Sequence, residues 1–463
     1  MLVDRYEKDK FFMKIIRLTT DMDPVLAQID QILEDEDIFE MIKADLSKRY
    51  PLTTVTGRNS TPAEVILRML VVKRLYNFSY EMTEYHVRDS LVLRLFCRVY
   101  LNNVPDDTTL IKWANLIQPE TLQQLNLRVT ELATALKVTK GRKLRTDGTV
   151  VESNIHAPSD SSLLADSVRV IGRTLSRAKA VLGESTDLTK EVFRNRVRSA
   201  KWAARQIGEA MSKRSETARA RGIKTYQKLV KITQESVAQA RQVLAELKEA
   251  ASTQMQQLAD TLETFIPRVE KVIDQTVRRV FEGEKVPASE KVVSIFELHT
   301  DIVNRSKRDT RFGHKVWLDE VDGGIISNYR VLEGNPNDKT QWQPSLERHV
   351  VVFGKPPDQV SADRGVHSQA NEDFAKELGV KRVILPKPGY KSKVRRELEK
   401  QPWFKRGRRW HNGVEGRISV LKRRHGLRRC LDHGRPGFER WVGWGIISGN
   451  LAVIGRAEVA RSR

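Results

Sequence analysis

Only two cysteines, Cys97 and Cys430, occur in 463 residues. No disulfide framework can be built from them, and a reducing, cytoplasmic setting is the expectation. No run of eighteen apolar residues is present, which argues against a membrane-spanning helix. The opening MLVDRYEKDK has no apolar signal-peptide core. The longest apolar stretch, Trp441 to Ile454, is interrupted by glycines and Asn450 and reads as a buried helix. Also missing are a phosphate-cradling GxxxxGK[ST], a GxSxG elbow and a zinc-binding HExxH. Cys430 and His433, with His425 nearby, have ligand-like spacing but no CxxC pair to join. Acid is scarce as well: 59 Asp+Glu face 81 Lys+Arg, for a net charge of +22. Such a balance points to a polyanionic partner, with nucleic acid ahead of an anionic membrane surface.

What is present divides by pattern. Asp23-Pro24 opens a helix with Val25, Leu26, Ile29, Ile32 and Leu33 at helical spacing. After a loop at Arg49–Asn59, Thr61-Pro62-Ala63-Glu64 has the form of an N-cap with a reciprocal glutamate. It precedes an apolar helix, Val65–Leu75, and Tyr80–Cys97 reads as another. Pro105-Asp106-Asp107-Thr108-Thr109 caps a helix through Leu110, Trp113 and Ile117. Short capped helices suit a helix-turn-helix reader and a plain bundle equally. Lys143–Ile155 turns extended; Asp147-Gly148 within it is either a hairpin turn or a carboxylate presented on a strand.

From Ser159 to about Glu282 the pattern is helical. Ile223–Ile266 contains no Gly or Pro and predicts one long amphipathic helix, paired antiparallel with Leu163–Arg221. Its basic outer face (Arg194, Arg196, Arg198, Lys201, Arg205, Lys213, Arg214) is either plain solvated surface or a DNA-contacting arm. Beyond Pro287, strands are expected at Val292–Leu298, Gly313–Val321, Ile325–Leu332, Gln359–Asp363 and Lys381–Leu385, with a helix at Ser368–Leu378. Strands alternating with helices indicate an α/β sheet. Asp363 stands at the carboxyl end of such a strand, where ligands bind, or simply in a turn.

The stretch Arg408–Lys422 organises the chemistry. Lys387–Arg429 holds sixteen Lys/Arg against three Asp/Glu, and Glu415 is the single acid in the stretch. His411, Glu415 and Lys422 share one helix face. Glu415 either caps its own helix, since Asn412-Gly-Val-Glu415 fits that pattern, or binds a cation at a phosphodiester. Three carboxylates, Asp147, Asp363 and Glu415, would suit two hard divalent ions. Lys422 and His411 would then touch substrate, and Arg364 and Lys387 would anchor phosphates.

Three blocks carry a resemblance. LRTDGTVVESNIHAPSDSSLLADSVRVI, VSADRGVHSQANEDFAKELGVKRVILPKPG and RRWHNGVEGRISVLKRRHGLRR resemble the first, second and third acid blocks of DDE transposases of bacterial insertion sequences, closest to the ISNCY type. RFGHKVWL (311–318) and VLEGNPND (331–338) resemble strands between the blocks. TPAEVILRMLVVKRLYNFSYEMTEYHVRDSLVLRLFC with VPDDTTL resembles the helical end-binding domain of these enzymes.

The resemblance implies an α/β fold with an RNase H-like catalytic core. An N-terminal helical DNA-binding domain would span 1–139, the first core strands 140–158, a coiled-coil-like helical insertion 159–285, and the rest of the core 286–463. Asp147, Asp363 and Glu415 would be catalytic and would hold two Mg²⁺, with Mn²⁺ as a substitute. Related transposases often place Tyr and Arg before the Glu; here those positions hold Arg408 and His411, leaving Arg409, His411 and Arg417 as candidates to grip the terminal phosphate. Arg364, Lys387, Arg408, Lys422 and Arg423 complete the DNA-binding set. The implied partners are double-stranded DNA, as element ends and target, and a second copy of the chain when DNA is bound, with no membrane and a nucleoid-associated location. The rival readings are a retired transposase kept as a DNA-binding regulator, and a nuclease that cuts without joining.

Overall fold

The computed structural model describes residues 1–19, 21–50, 52–183, 188–249, 252–306 and 309–462. Contacts divide them into two compact units, 1–154 with 303–463, and 155–302.

The first unit begins with eight helices: α1 (Lys10–Thr19), α2 (Pro24–Ile32), α3 (Glu36–Leu46), α4 (Ala63–Leu75), α5 (Tyr80–Asp89), α6 (Leu91–Phe96), α7 (Asp107–Ala114) and α8 (Pro119–Ala135). Asp23 and Asp106 cap α2 and α7 through their side chains, as their sequences predict. Thr61 does not cap α4. Pro62 is the cap residue, and the first amides of the helix, Ala63 and Glu64, donate to the carbonyls of Val3 and Asp4 at 2.9 and 3.1 Å. Glu64 instead accepts from Arg68 Nε at 2.9 Å. Arg68 is fully buried and also donates to Asp30 and to the Phe96 carbonyl. Tyr80–Cys97 is two helices rather than one, because the extended Ser90 breaks it and caps the second.

The sheet of this unit is mixed. Its strands are β1 (Lys143–Glu152), β2 (Asp301–Ser306), β3 (Asp309–Val321), β4 (Ile325–Val331), β5 (Gln359–Ser361) and β6 (Arg382–Ile384), in the order β2-β3-β1-β5-β6 with β4 also on β3. β1 pairs antiparallel with β3 and parallel with β5, and β6 continues parallel. Asp147-Gly148 is therefore mid-strand, opposite Leu318 and Trp317, and not a turn. α13 (Trp342–Phe353) precedes β5, and α14 (Gln369–Glu377) joins β5 to β6.

α15 (Lys393–Lys400), α16 (Pro402–Arg424) and α17 (Gly434–Arg461) close the unit. α17 is buried along Gly437–Asn450, as expected of Trp441–Ile454, and packs on α2, α4, α8 and β4. Its Asn450 lies in a buried amide cluster, donating to Asn126 of α8 at 2.9 Å and accepting from the Ile326 amide of β4 at 2.9 Å. One hydrophobic core runs from Ile38 and Val71 of the N-terminal helices through Leu144, Trp317 and Val360 of the sheet to Leu451 of α17. Residues 1–139 thus share their core with the sheet.

The second unit holds α9 (Asp160–Leu182), α10 (Val197–Met211), α11 (Glu216–Lys248) and α12 (Thr253–Thr276). The single long helix expected over Ile223–Ile266 is two. α11 ends at Lys248, α12 starts after the extended Ser252, and Val237, Val243 and Leu247 pack in one cluster with Leu258, Leu262 and Ile266. Reversal buries both apolar stripes against each other, which a continuous helix could not do. Val292–Leu298 is not a strand. Its polar groups bond side chains instead of a ladder: the Val292 amide donates to Gln275 at 2.8 Å, and Phe296 and Glu297 donate to Ser294 Oγ.

No helix among the described residues is long and apolar enough to cross a membrane.

Candidate active site

The site is built where β1, β5 and α16 meet. Register sets the first two acids side by side. Arg145 of β1 pairs with Ser361, the last residue of β5, and Asp147 and Asp363 each stand two residues further along the chain. Asp147 is half-buried and takes the Gly148 amide on Oδ1 at 2.7 Å. Asp363 is exposed, just past the end of β5.

α16 packs across β1, β5 and β6. Asn412-Gly-Val-Glu415 lies in its interior, so Glu415 caps nothing; the helix starts ten residues earlier at Pro402. His411, one turn before Glu415, is buried. Its Nε2 lies 3.1 Å from Asp363 Oδ1 and its Nδ1 lies 3.4 Å from Ser361 Oγ. Glu415 is exposed and lines, with Asp147, a cavity of about 850 Å³. Lys422 and Arg423 from α16 line the same cavity, as do Arg311, Arg428 and Arg429.

The charges here are coupled. Burial, reinforced by the charge of Asp363, pushes the Asp147 carboxyl up to about 6, against the opposing pull of the Gly148 amide and His411. Asp363 moves the other way: its hydrogen bond with His411 holds it below the usual carboxylate range. Removing that bond, in His411→Gln, is expected to return the Asp363 carboxyl toward its ordinary range, read by carbon-13 NMR titration of the Asp363 carboxyl. An unmoved titration would show that His411 does not set the ionisation of Asp363. A group whose pKa is depressed in the fold contributes stability above its unfolded value and loses it as pH falls. The same variant should therefore be less stable than the parent at neutral pH, with the difference vanishing at the acid end, where the parent loses this contribution too.

The other expected site residues divide. Arg364 is exposed immediately after Asp363, and Arg408 and Arg409 are exposed on α16. Lys387 is half-buried after β6, its amide donating to Glu399 at 2.9 Å. Arg417 is a correction. It stands two residues from Glu415, so it falls on the opposite face of the helix. It is buried, donates to Asn450 at 3.2 Å, and burial pushes its pKa down to about 10 despite the nearby charge of Glu320. His411 is likewise buried against Asp363 rather than turned toward a substrate.

Arg311, Arg428 and Arg429 lay outside the expected set. The segment after α16 runs along the end of β1, with the Glu152 amide donating to the Arg428 carbonyl at 3.1 Å and the Cys430 amide donating to the Glu152 carbonyl at 2.7 Å. Glu152 in turn holds Arg311 and Arg429 at 2.7 and 3.1 Å. The only sequence signal for Arg428 and Arg429 was the density of arginine after His425, and Arg311 of β3 had none.

Among the described residues, no three His, Cys, Asp or Glu side chains form a group that could hold a metal ion. Asp147 is coupled to Asp363 and shares a cavity with Glu415, but the three are not closed into one cage. The donor chemistry nonetheless suits a hard divalent cation. All three are carboxylates, and the burial that raises Asp147, together with the charge of Asp363, is what a bound dication would offset.

No curated protein and no solved structure matches the chain. Residues 15–116, covering α2 to α7 with the second half of α1, match the family model described as Transposase domain (DUF772), and that match supports a transposase.

Proposed function

We propose that the chain is a DDE transposase, similar to the ISNCY type, with an RNase H-like core. It would bind the terminal inverted repeats of its element, hydrolyse a phosphodiester to free a 3′-hydroxyl, and join that hydroxyl to target DNA. The observation that carries this reading is the placement of Asp147 on β1 and of Asp363 just past the end of the neighbouring parallel strand β5, with Glu415 of α16 lining one cavity with Asp147. The mixed sheet, antiparallel on one side of β1 and parallel on the other, supports the core assignment.

Two Mg²⁺ held by Asp147, Asp363 and Glu415 would supply Lewis-acid stabilisation at phosphorus and activation of the attacking water or sugar hydroxyl. The protein's own groups do the rest. His411 favours the ionised form of Asp363 and fixes its direction, and the Gly148 amide fixes one oxygen of Asp147. Lys422, Arg423 and Arg428 line the cavity and would neutralise phosphates flanking the cleaved bond. Both element ends must be held at once, which calls for at least two copies on DNA.

The test is Mg²⁺-dependent cleavage and joining of a DNA that carries the element ends. Asp363→Ala and Glu415→Gln should each abolish both steps, and parental activity in both variants would remove the site. Cleavage without joined product would leave a nuclease, and binding without either a regulator. The folded protein should also gain stability with added Mg²⁺, by the usual mass-action linkage. Asp363→Ala should lose that gain, measured as the Mg²⁺-dependent shift in melting temperature.

A further inference from the structure

Residues 194–231 of the second unit contain twelve Lys/Arg and only two Asp/Glu. By contrast, α12 in the same unit has two basic and four acidic residues over 253–276. The imbalance is therefore local to the α10–α11 hairpin, whose helices pack together across a short turn at 212–215.

The cations form one surface. Lys201 and Arg205 on α10 are a turn apart, as are Arg221, Lys224 and Lys228 on α11, and all five are exposed. Trp202 joins the two rows: its ring is 54% exposed, and Lys228 Nζ stands 5.1 Å from the ring centroid across the seam. A rise of about 1.5 Å per residue spreads the α11 row over roughly 10 Å. The apolar faces of both helices are already spent, because Ala203, Ile207, Tyr226 and Leu229 are buried in the core of the unit. An interfacial membrane helix needs that face free to enter the acyl layer. Rows of cations around one exposed ring, with the apolar stripe of each helix buried, match a phosphate backbone instead.

We infer that the α10–α11 face is a second, sequence-independent binding surface for the backbone of double-stranded DNA. It rests on the transposase reading only in its choice of DNA as the polyanion.

The experiment uses the full chain with Lys201→Gln, Arg205→Gln, Lys224→Gln and Lys228→Gln combined. Binding to a random-sequence duplex of about 30 base pairs is followed by fluorescence anisotropy from about 50 to 200 mM salt. Each lost phosphate contact flattens the slope of log K against log salt by about 0.9, so the variant should be shallower by about 3 to 4. Circular dichroism should show unchanged helix content. If the combined variant unfolds, Lys224→Gln alone is read for its single step of about 0.9. An unchanged slope in a folded variant overturns the inference. So does a variant that loses binding to anionic phospholipid vesicles while keeping its duplex binding. Asp363→Ala separates the two proposals: parental cleavage by that variant would end the catalytic reading and leave the slope result standing.

Discussion

Asp147→Asn is expected to lower DNA cleavage by more than about a hundredfold and, at the same time, to stabilise the metal-free protein. A proposed direct ligand should cost more than the roughly 10- to 100-fold that outer partners of a metal site cost. The stability gain follows from the raised carboxyl. In the fold Asp147 binds its proton up to about pH 6, against 3.8 for its ordinary value. A raised pKa means that the folded state holds the proton more tightly. The associated stability is fully present below about 3.8 and is lost as pH rises through about 6. At pH 7 the parent therefore carries an ionised, half-buried carboxylate beside Asp363, and asparagine removes that charge. The gain should be about 2 kcal/mol after allowance for the partial exposure of the group. Urea unfolding without divalent ions at pH 5 and pH 7 measures it. The parent should weaken between the two, and Asp147→Asn should lose less. Added Mg²⁺ should reverse the ranking, because only the parent keeps the full donor set. A variant no more stable than the parent at pH 7 would contradict the electrostatic account of the site.

Glu320→Ala is expected to destabilise the protein by about 3–5 kcal/mol, the usual cost of stripping one partner from a buried ion pair. Glu320 accepts from Arg145 Nε at 2.8 Å and from Nη2 at 2.6 Å, and the two side chains are 1% and 11% exposed. Arg145 also donates to the Trp410 carbonyl and lies 4.8 Å from the centroid of the Trp410 ring. A Cβ at Gly413 would come within 2.6 Å of Arg145 Nη1, so the guanidinium sits directly beneath the helix that carries His411 and Glu415. On the other side, the charge of Glu320 acts on buried Arg417. Its loss would leave both guanidiniums without their buried counter-charge. Glu320→Gln keeps an acceptor for one bond and should lose less. Cleavage measured well below the melting temperature should also fall in Glu320→Ala, since the seat of α16 on β1 is gone. Parental stability would show that the pair braces nothing.

Which parts could be read in advance follows from how local their causes are. Caps at Asp23 and Asp106 are set within one turn and were legible. The cap expected at Thr61 failed because a distant segment, Val3-Asp4, supplies the carbonyls. Asp147-Gly148 was ambiguous as a dipeptide, and pairing with Leu318 and Trp317 decided it. Arg417 was readable from arithmetic alone, since two residues place it about 200° around the helix from Glu415. Arg428 and Arg429 were not readable, because they reach the cavity only when the segment after α16 joins the end of β1, and Arg311 lines it from β3, the antiparallel neighbour of β1. The break after Lys248 is illegible in the sequence for a similar reason: no Gly or Pro marks it, and the gain comes from folding one apolar stripe onto another.

The placement of α17 bears on the order in which a ribosome could deliver a working molecule. Asn450 ties together α8, made early, and β4, made late, and α2 and α4 pack against a helix, α17, that lies more than three hundred residues further along the chain. Domains generally fold as units during synthesis, and here residues 155–302 form a unit of their own while the surrounding one is still incomplete. Asp147 must wait through more than two hundred residues of translation for Asp363, and longer for Glu415. On the proposed reading, a nascent chain would carry its first acid long before it could cut any DNA nearby.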